Sequence, residues 1–142
     1  MTYDYKQKKI VAVINTEIEK WQALNVLGHM AVSLGVNRDD DLMGREILLD
    51  ASGFGHKGIA RYGFIIKSGN SDEISDLIIG AKEVEGITLI DFPKEMLDTR
   101  HDYDLCDSML LKKTEDFKYF GCLLYGLSKE VDTLTKGYAL YN

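Results

Sequence analysis

The sequence predicts an α/β fold in three α/β/α layers, with a mixed sheet between helices in a single domain. Three observations carry this expectation. Residues 9–15, KIVAVIN, form an unbroken apolar run rich in β-branched side chains, as in a strand buried on both faces of a sheet. A stretch with apolar residues at three- and four-residue spacing follows directly, so the chain opens as a strand–helix unit. Runs of both kinds then continue to the last residue without a repeat, a low-complexity tract or a linker, and 142 residues suit one domain.

The elements follow in order. Trp21, Leu24, Leu27, Met30, Ala31 and Leu34 are expected to form the buried face of the first helix, with Gly35 just past its end. VNRDDDLM reads as a loop and REILLDA as a second strand ending near Asp50. SGFGHKG is a flexible turn before IARYGFIIK, a further strand. Asn70 or Ser71 can cap a helix with Ile74, Leu77, Ile78, Ala81 and Val84 on one face. Glu73 adds favourable charge to its first turn, and Gly86 ends it. ITLIDF is a short buried strand stopped by Pro93, the only proline. An Asp-rich stretch containing His101 precedes a helix near residues 103–113. KYFGCLLYG is the last clear strand, Ser128 caps a short helix with Val131 and Leu134 inward, and YALY adds a terminal extended piece.

Composition narrows the function classes. With 45% hydrophobic and 28% charged residues the chain is ordinary for a globular protein. A domain of this length buries roughly two-thirds of its unfolded surface and needs neither disulfides nor metal to fold. No apolar run approaches the roughly 18 residues of a membrane span, and MTYDYKQKK has no apolar signal region. A cytoplasmic protein with no membrane partner is expected. A net charge of −6 argues against nucleic acid, whose binding relies on clustered Lys and Arg. Cys106 and Cys122 form no CxxC pair; Cys122, within GCLLYG, reads as an inert buried thiol. Asp39–Asp41 and Asp102, Asp104 and Asp107 read as solvated surface.

Gly53, Gly55 and Gly58 spell G-x-G-x-x-G, the dinucleotide fingerprint. That motif works only where a helix starts, because the helix N-terminus meets the pyrophosphate. Here IARYGFIIK follows, so the glycines are expected to shape a turn between strands. No P-loop, HExxH or GxSxG occurs, and His29, His56 and Asp91 lack metal-ligand spacing, so no cofactor or metal is expected.

Candidate site residues are polar side chains at strand ends and on the first helix. In open α/β sheets, ligands gather outside the carboxyl ends of strands. Asp50, His56 and Asp91 are the candidate catalytic residues, with His56 oriented by Asp50 acting as base or donor. Asn25 and Lys67 are candidate ligand-binding residues, Lys67 meeting an anion at a strand end. The alternative is structural: Asp50 stabilises its own turn, Asn25 bonds helix to loop, and Lys67 is a solvated strand end. His29, beside Met30, reads as structural.

The opening KIVAVINTEIEKWQALNVLGHMAVSLG resembles the first strand and helix of type II peptidyl-tRNA hydrolases. FIIKSG resembles their middle strand, ITLIDF the strand before their DAGRT loop, and FGCLLYGLSKEVDTLTKGYALY their closing elements. WQALN, DASGFGH and GLSKEVDTLTK further resemble the bacterial family called domain of unknown function 2000, which is similar in fold to those hydrolases. The resemblance implies that fold, and a homodimer as in the hydrolases. Carried over by position, Asp91 matches the hydrolase aspartate, but Glu95 stands where the threonine belongs. Gln22 stands for the lysine, with Lys20 two residues away, and Ala31 for the histidine. Losing a cation where charge develops removes the main electrostatic contribution to catalysis. Two functions stay open: a module that binds a small ligand in a polar pocket at the strand ends without turnover, or a small-molecule hydrolase using His56 with Asp50 or Asp91.

Overall fold

The computed structural model describes residues 3–142. The chain runs β1 (Lys8–Asn15), α1 (Lys20–Val36), β2 (Ile47–Leu49), β3 (Gly55–Lys57), β4 (Phe64–Gly69), α2 (Ser71–Ala81), β5 (Thr88–Pro93), α3 (Glu95–Asp98), α4 (Asp102–Leu110), β6 (Tyr119–Leu127), α5 (Ser128–Thr135) and β7 (Ala139–Leu140). Five strands form one mixed sheet of order β5-β6-β1-β4-β7. β1 and β4 are parallel; the remaining neighbours are antiparallel.

The apolar run of β1 is explained by its place. It lies in the centre of the sheet, and its side chains alternate between two cores. Ile10, Ala12 and Ile14 join Leu123 and Tyr125 of β6 beneath Ala23, Val26, Met30 and Leu34 of α1. Val11 and Val13 join Cys122 and Leu124 beneath Ile74, Leu77, Ile78 and Ala81 of α2 and Val131 of α5. Helices therefore cover both faces. Cys122 is fully buried and burial pushes its thiol far above its usual range, which makes it inert.

Helix α1 departs from the expected face. Trp21 and Leu24 are 59% and 71% exposed, while Ala23 and Val26 are buried. Apolar residues occur all round this helix, so spacing alone supports two stripes and the sheet selects one. The helix also runs through Gly35 and stops at Asn37, whose side-chain amide donates to the Ser33 carbonyl at 2.8 Å.

The second strand lies outside the main sheet. β2 pairs only with β3, in a hairpin whose β2 residues are all exposed. Part of the expected glycine turn is therefore strand. Gly53, with φ +81°, makes the turn itself. A Cβ at Gly58 would lie 1.6 Å from the Arg45 carbonyl oxygen, so only glycine lets the two arms approach there. No helix starts at this motif, consistent with a turn rather than a phosphate cradle.

Asn70 caps α2, accepting from the Glu73 amide at 2.9 Å. The helix ends at Ala81, a turn earlier than expected, and Gly86 adopts φ +89° in the connection that follows. α4 is shorter than expected and α3 is an unforeseen single turn. Ser128 opens α5 but donates to the Lys6 carbonyl instead of capping the helix. The acidic run at Asp39–Asp41 is more than solvated surface. Lys8 Nζ meets Asp39 at 3.0 Å and Asp41 at 3.1 Å, and the Tyr125 hydroxyl donates to Asp39 at 2.8 Å. The hydrogen bond to Asp39 raises the Lys8 ammonium pKa; partial burial opposes that rise, while Asp41 adds to it. Burial acts to raise Asp39, yet its bonds from Lys8 and Tyr125 prevail and hold it below the usual carboxylate value. Among the described residues, no helix is long and apolar enough to cross a membrane.

Candidate functional site

The structure brings together two of the five candidate residues. Asp50 follows β2 and His56 lies in β3; His56 Nε2 is 3.0 Å from Asp50 Oδ2. The other Asp50 oxygen accepts from the Ser52 and Phe54 amides at 2.9 and 3.0 Å, so the carboxylate both closes the turn and orients the ring. Phe54 stands edge-on to His56 with centroids 4.8 Å apart. Hydrogen bonding to His56, then to the Phe54 amide, lowers the Asp50 pKa. Both side chains are open to solvent on a hairpin.

Asp91, Lys67 and Asn25 lie elsewhere. Asp91 sits in edge strand β5 opposite Cys122, so strand alternation puts its carboxyl on the α2 face with Leu89, away from Ile90 and Phe92. It forms no side-chain hydrogen bond among the described residues, and burial raises its pKa. The nearby Tyr119 phenol is pushed up to about 12, by burial first and then by Asp91. Lys67 donates to the Thr135 carbonyl at 2.8 Å and so caps the end of α5. Asn25 is on the outward face of α1, beside Leu24, Gly28, His29 and Val32.

A groove of about 340 Å³ runs beside β5, bordered by His29, Ser33, Ile90, Asp91, Phe92 and Met96 among others. It brings His29 near Phe92, ring centroids 5.9 Å apart, but neither Asp50 nor His56 reaches it. Among the described residues, no group of three His, Cys, Asp or Glu side chains is placed to hold a metal ion.

The carboxyl ends of the parallel pair β1 and β4 do carry a pocket, and it is apolar. Ile14 and Ile66 form its floor, Ala23, Leu24 and Leu27 of α1 one wall, and Tyr141 another, enclosing about 180 Å³. Lys20 and Asn142 supply the polar positions. Two local devices set this geometry. Buried Asn15 donates to the Tyr119 carbonyl at 2.8 Å and accepts from the Glu17 amide at 2.7 Å, fixing the turn into α1. A capping box then starts the helix, with the Glu19 amide donating to Gln22 Oε1 at 2.9 Å. Gln22 is thereby used in capping. Lys20 makes no ion pair and no side-chain hydrogen bond among the described residues. Sequence reasoning missed this pocket, because its lining reads as ordinary core; the available signal was Lys20, the one fully charged residue in residues 20–36.

Residues 8–142 match the model of a family described as protein of unknown function, DUF2000. The chain belongs to that family. The solved structure of the protein of unknown function Atu0240, from Agrobacterium tumefaciens strain C58, is similar to this DUF2000 chain, with a TM-score of 0.84. The likeness covers 96% of this chain and 98% of that one at 20% identity, a similarity of fold. No curated protein matches. In this DUF2000 chain, GLSKEVDTLTK serves structure: Val131 is core, Asp132 pairs with Lys9 at 2.7 Å, and Thr135 is buried with its hydroxyl on the Val131 carbonyl.

Proposed function

We propose that this protein is a non-catalytic binding module for a small apolar molecule with one anionic end, held at the carboxyl ends of β1 and β4. The observation that carries this is the apolar pocket with unpaired Lys20 at its lining. A dry cavity of about 150 Å³ accepts a benzene ring, so about 180 Å³ suits a single aromatic ring or a short branched chain. The lining holds no histidine, serine, cysteine or acidic side chain, which favours binding over turnover. The pocket on which this reading rests is apolar, whereas the sequence led us to expect a polar one. We further infer that the scaffold is that of type II peptidyl-tRNA hydrolases. The order of motifs along the chain supports this, while Gln22, committed to capping, and Glu95, paired with Lys112 at 2.8 Å, argue against hydrolase chemistry.

The test is thermal unfolding with benzoate, benzyl alcohol and acetate. A ligand at about 100 times its Kd adds about 2.7 kcal/mol, or several degrees of Tm for a domain of this size. Benzoate is expected to stabilise most, Lys20→Gln to erase its advantage over benzyl alcohol, and Leu27→Trp to abolish both shifts by filling the pocket. No shift with any ring compound would sink the reading. The Asp50–His56 contact favours a second reading, small-molecule hydrolysis, in which His56→Ala abolishes turnover while the chain still folds by circular dichroism. Equal turnover by the variant across an ester panel excludes it.

A further inference from the structure

Strand β5 is an outer strand of the sheet, paired with β6 alone among the described residues. The ladders fix which of its peptide groups are already bonded. The Ile10 amide donates to the Gly63 carbonyl on the β4 side at 3.0 Å, so Ile10 turns its peptide groups away from β6. Tyr125, which faces Ile10 across the β1–β6 ladder, therefore turns its own groups toward β5, where it faces Thr88. Alternation then commits Thr88, Ile90 and Phe92 to β6 and points the N–H and C=O of Leu89 and Asp91 outward. The Lys94 amide keeps the same phase, donating to the Lys118 carbonyl at 2.9 Å. A row of open peptide groups is a template for one more strand.

We propose that this edge takes up an extended segment of a partner protein as an added strand, with a lysine or arginine opposite Asp91 between two apolar residues. Residues side by side on neighbouring strands share a face of the sheet. Those set opposite Ile90 and Phe92 enter the groove of about 340 Å³, which His29 and Ser33 of α1, Met96 of α3 and Leu105 of α4 also border. That lining is largely apolar and calls for apolar side chains. The residue opposite Asp91 lies on the other face. It meets a partly buried carboxyl with no side-chain hydrogen bond or ion pair among the described residues. A cation there supplies the missing partner, since opposite charges facing across a ladder attract.

The surroundings favour a basic strand over other occupants. α4 carries Asp102, Asp104 and Asp107, all exposed and without an ion pair among the described residues, and has no lysine or arginine. A basic segment is drawn to that rim, whereas a second copy of a chain of net charge −6 is repelled. Main-chain bonds along an open edge, with pockets for alternate side chains, are a recurring mode of peptide recognition. The groove shares no residue with the apolar pocket, and the association is tested without a small ligand.

Hydrogen exchange tests the edge, and fluorescence anisotropy tests the partner. In the free chain the Leu89 and Asp91 amides are expected to exchange fast while those of Ile90 and Phe92 stay protected. A labelled peptide, acetyl-TVKVT-amide, is expected to bind and to slow exchange at Leu89 and Asp91. Glutamate in place of its lysine should weaken binding about tenfold, and so should N-methylation at that lysine, which removes the donor opposite Asp91. Asp91→Asn should erase the preference for lysine over glutamate. Ser33→Trp fills the groove and should abolish binding in a chain that is still folded by circular dichroism. No binding at millimolar peptide overturns the proposal. So do Leu89 and Asp91 amides already protected in the free chain, because another strand, such as that of a second copy, then holds the edge. Tighter binding of both peptides by Asp91→Asn also overturns it, marking Asp91 as a charge that guards the edge.

Discussion

Replacing Asn15 by leucine tests the link between the sheet and the start of α1 beside the apolar pocket. The side chain is 1% exposed, and leucine keeps its branched outline but is bulkier, so overpacking adds to the loss. What is lost is the donor to the Tyr119 carbonyl and the acceptor for the Glu17 amide, at 2.8 and 2.7 Å. A buried polar group left without a partner costs about 1–3 kcal/mol. Tyr119 is buried and bears that cost; Glu17 is exposed, and water relieves part of its loss. The sum is about 2–4 kcal/mol, a large share of the about 5–15 kcal/mol of a typical domain. Urea unfolding followed by circular dichroism should show a midpoint lower by about 1–2 M with unchanged slope. Asn15→Asp separates the two bonds: it keeps the acceptor and loses the donor. Burial raises the pKa of the new carboxyl above its unfolded value, so the variant is most stable in acid and loses that stability as pH rises. A loss under 1 kcal/mol for Asn15→Leu would refute the claim that these bonds hold the start of α1.

Asp50 should titrate below the ordinary 3.8 in carbon NMR, and His56→Ala should move it back up. Because the folded pKa is depressed, that contact stabilises above the unfolded value and is lost as pH falls through the folded one. Asp91 behaves oppositely: burial raises its pKa, so its contribution is present in acid and lost as pH rises. Asp91→Asn should therefore raise Tm at neutral pH and have little effect in acid. Gly58→Ala must force the hairpin arms apart, since its Cβ would fall 1.6 Å from the Arg45 carbonyl oxygen. Hydrogen exchange should show fast exchange of the Gly58 amide, normally bonded to the Glu46 carbonyl, while β1 stays protected.

The parts legible in the sequence were those decided by local chemistry. β-branched apolar residues from Lys9 to Asn15 specify a strand buried on both sides, and Asn70 with Glu73 specifies a helix start. Asp50 and His56, six residues apart across a glycine turn, were also within reach of local reasoning. The pairing follows from hairpin register, where Leu48 faces His56.

Other features depend on what distant segments do to one another. Which stripe of α1 is buried, and hence that Trp21 and Leu24 face outward, was settled by the sheet beneath the helix. Lys67 and Asp91 lie within strands β4 and β5 rather than at their ends, and one finds the Thr135 carbonyl while the other finds no side-chain partner among the described residues. The apolar pocket arises where Ile14, Ile66, Leu27 and Tyr141, spread over the whole chain, meet at one end of the sheet. Periodicity and capping act within a few residues, so the sequence by itself determined the α/β class and most elements. Packing couples residues scores of positions apart, so only the tertiary structure decided which polar groups come together and where the apolar pocket lies.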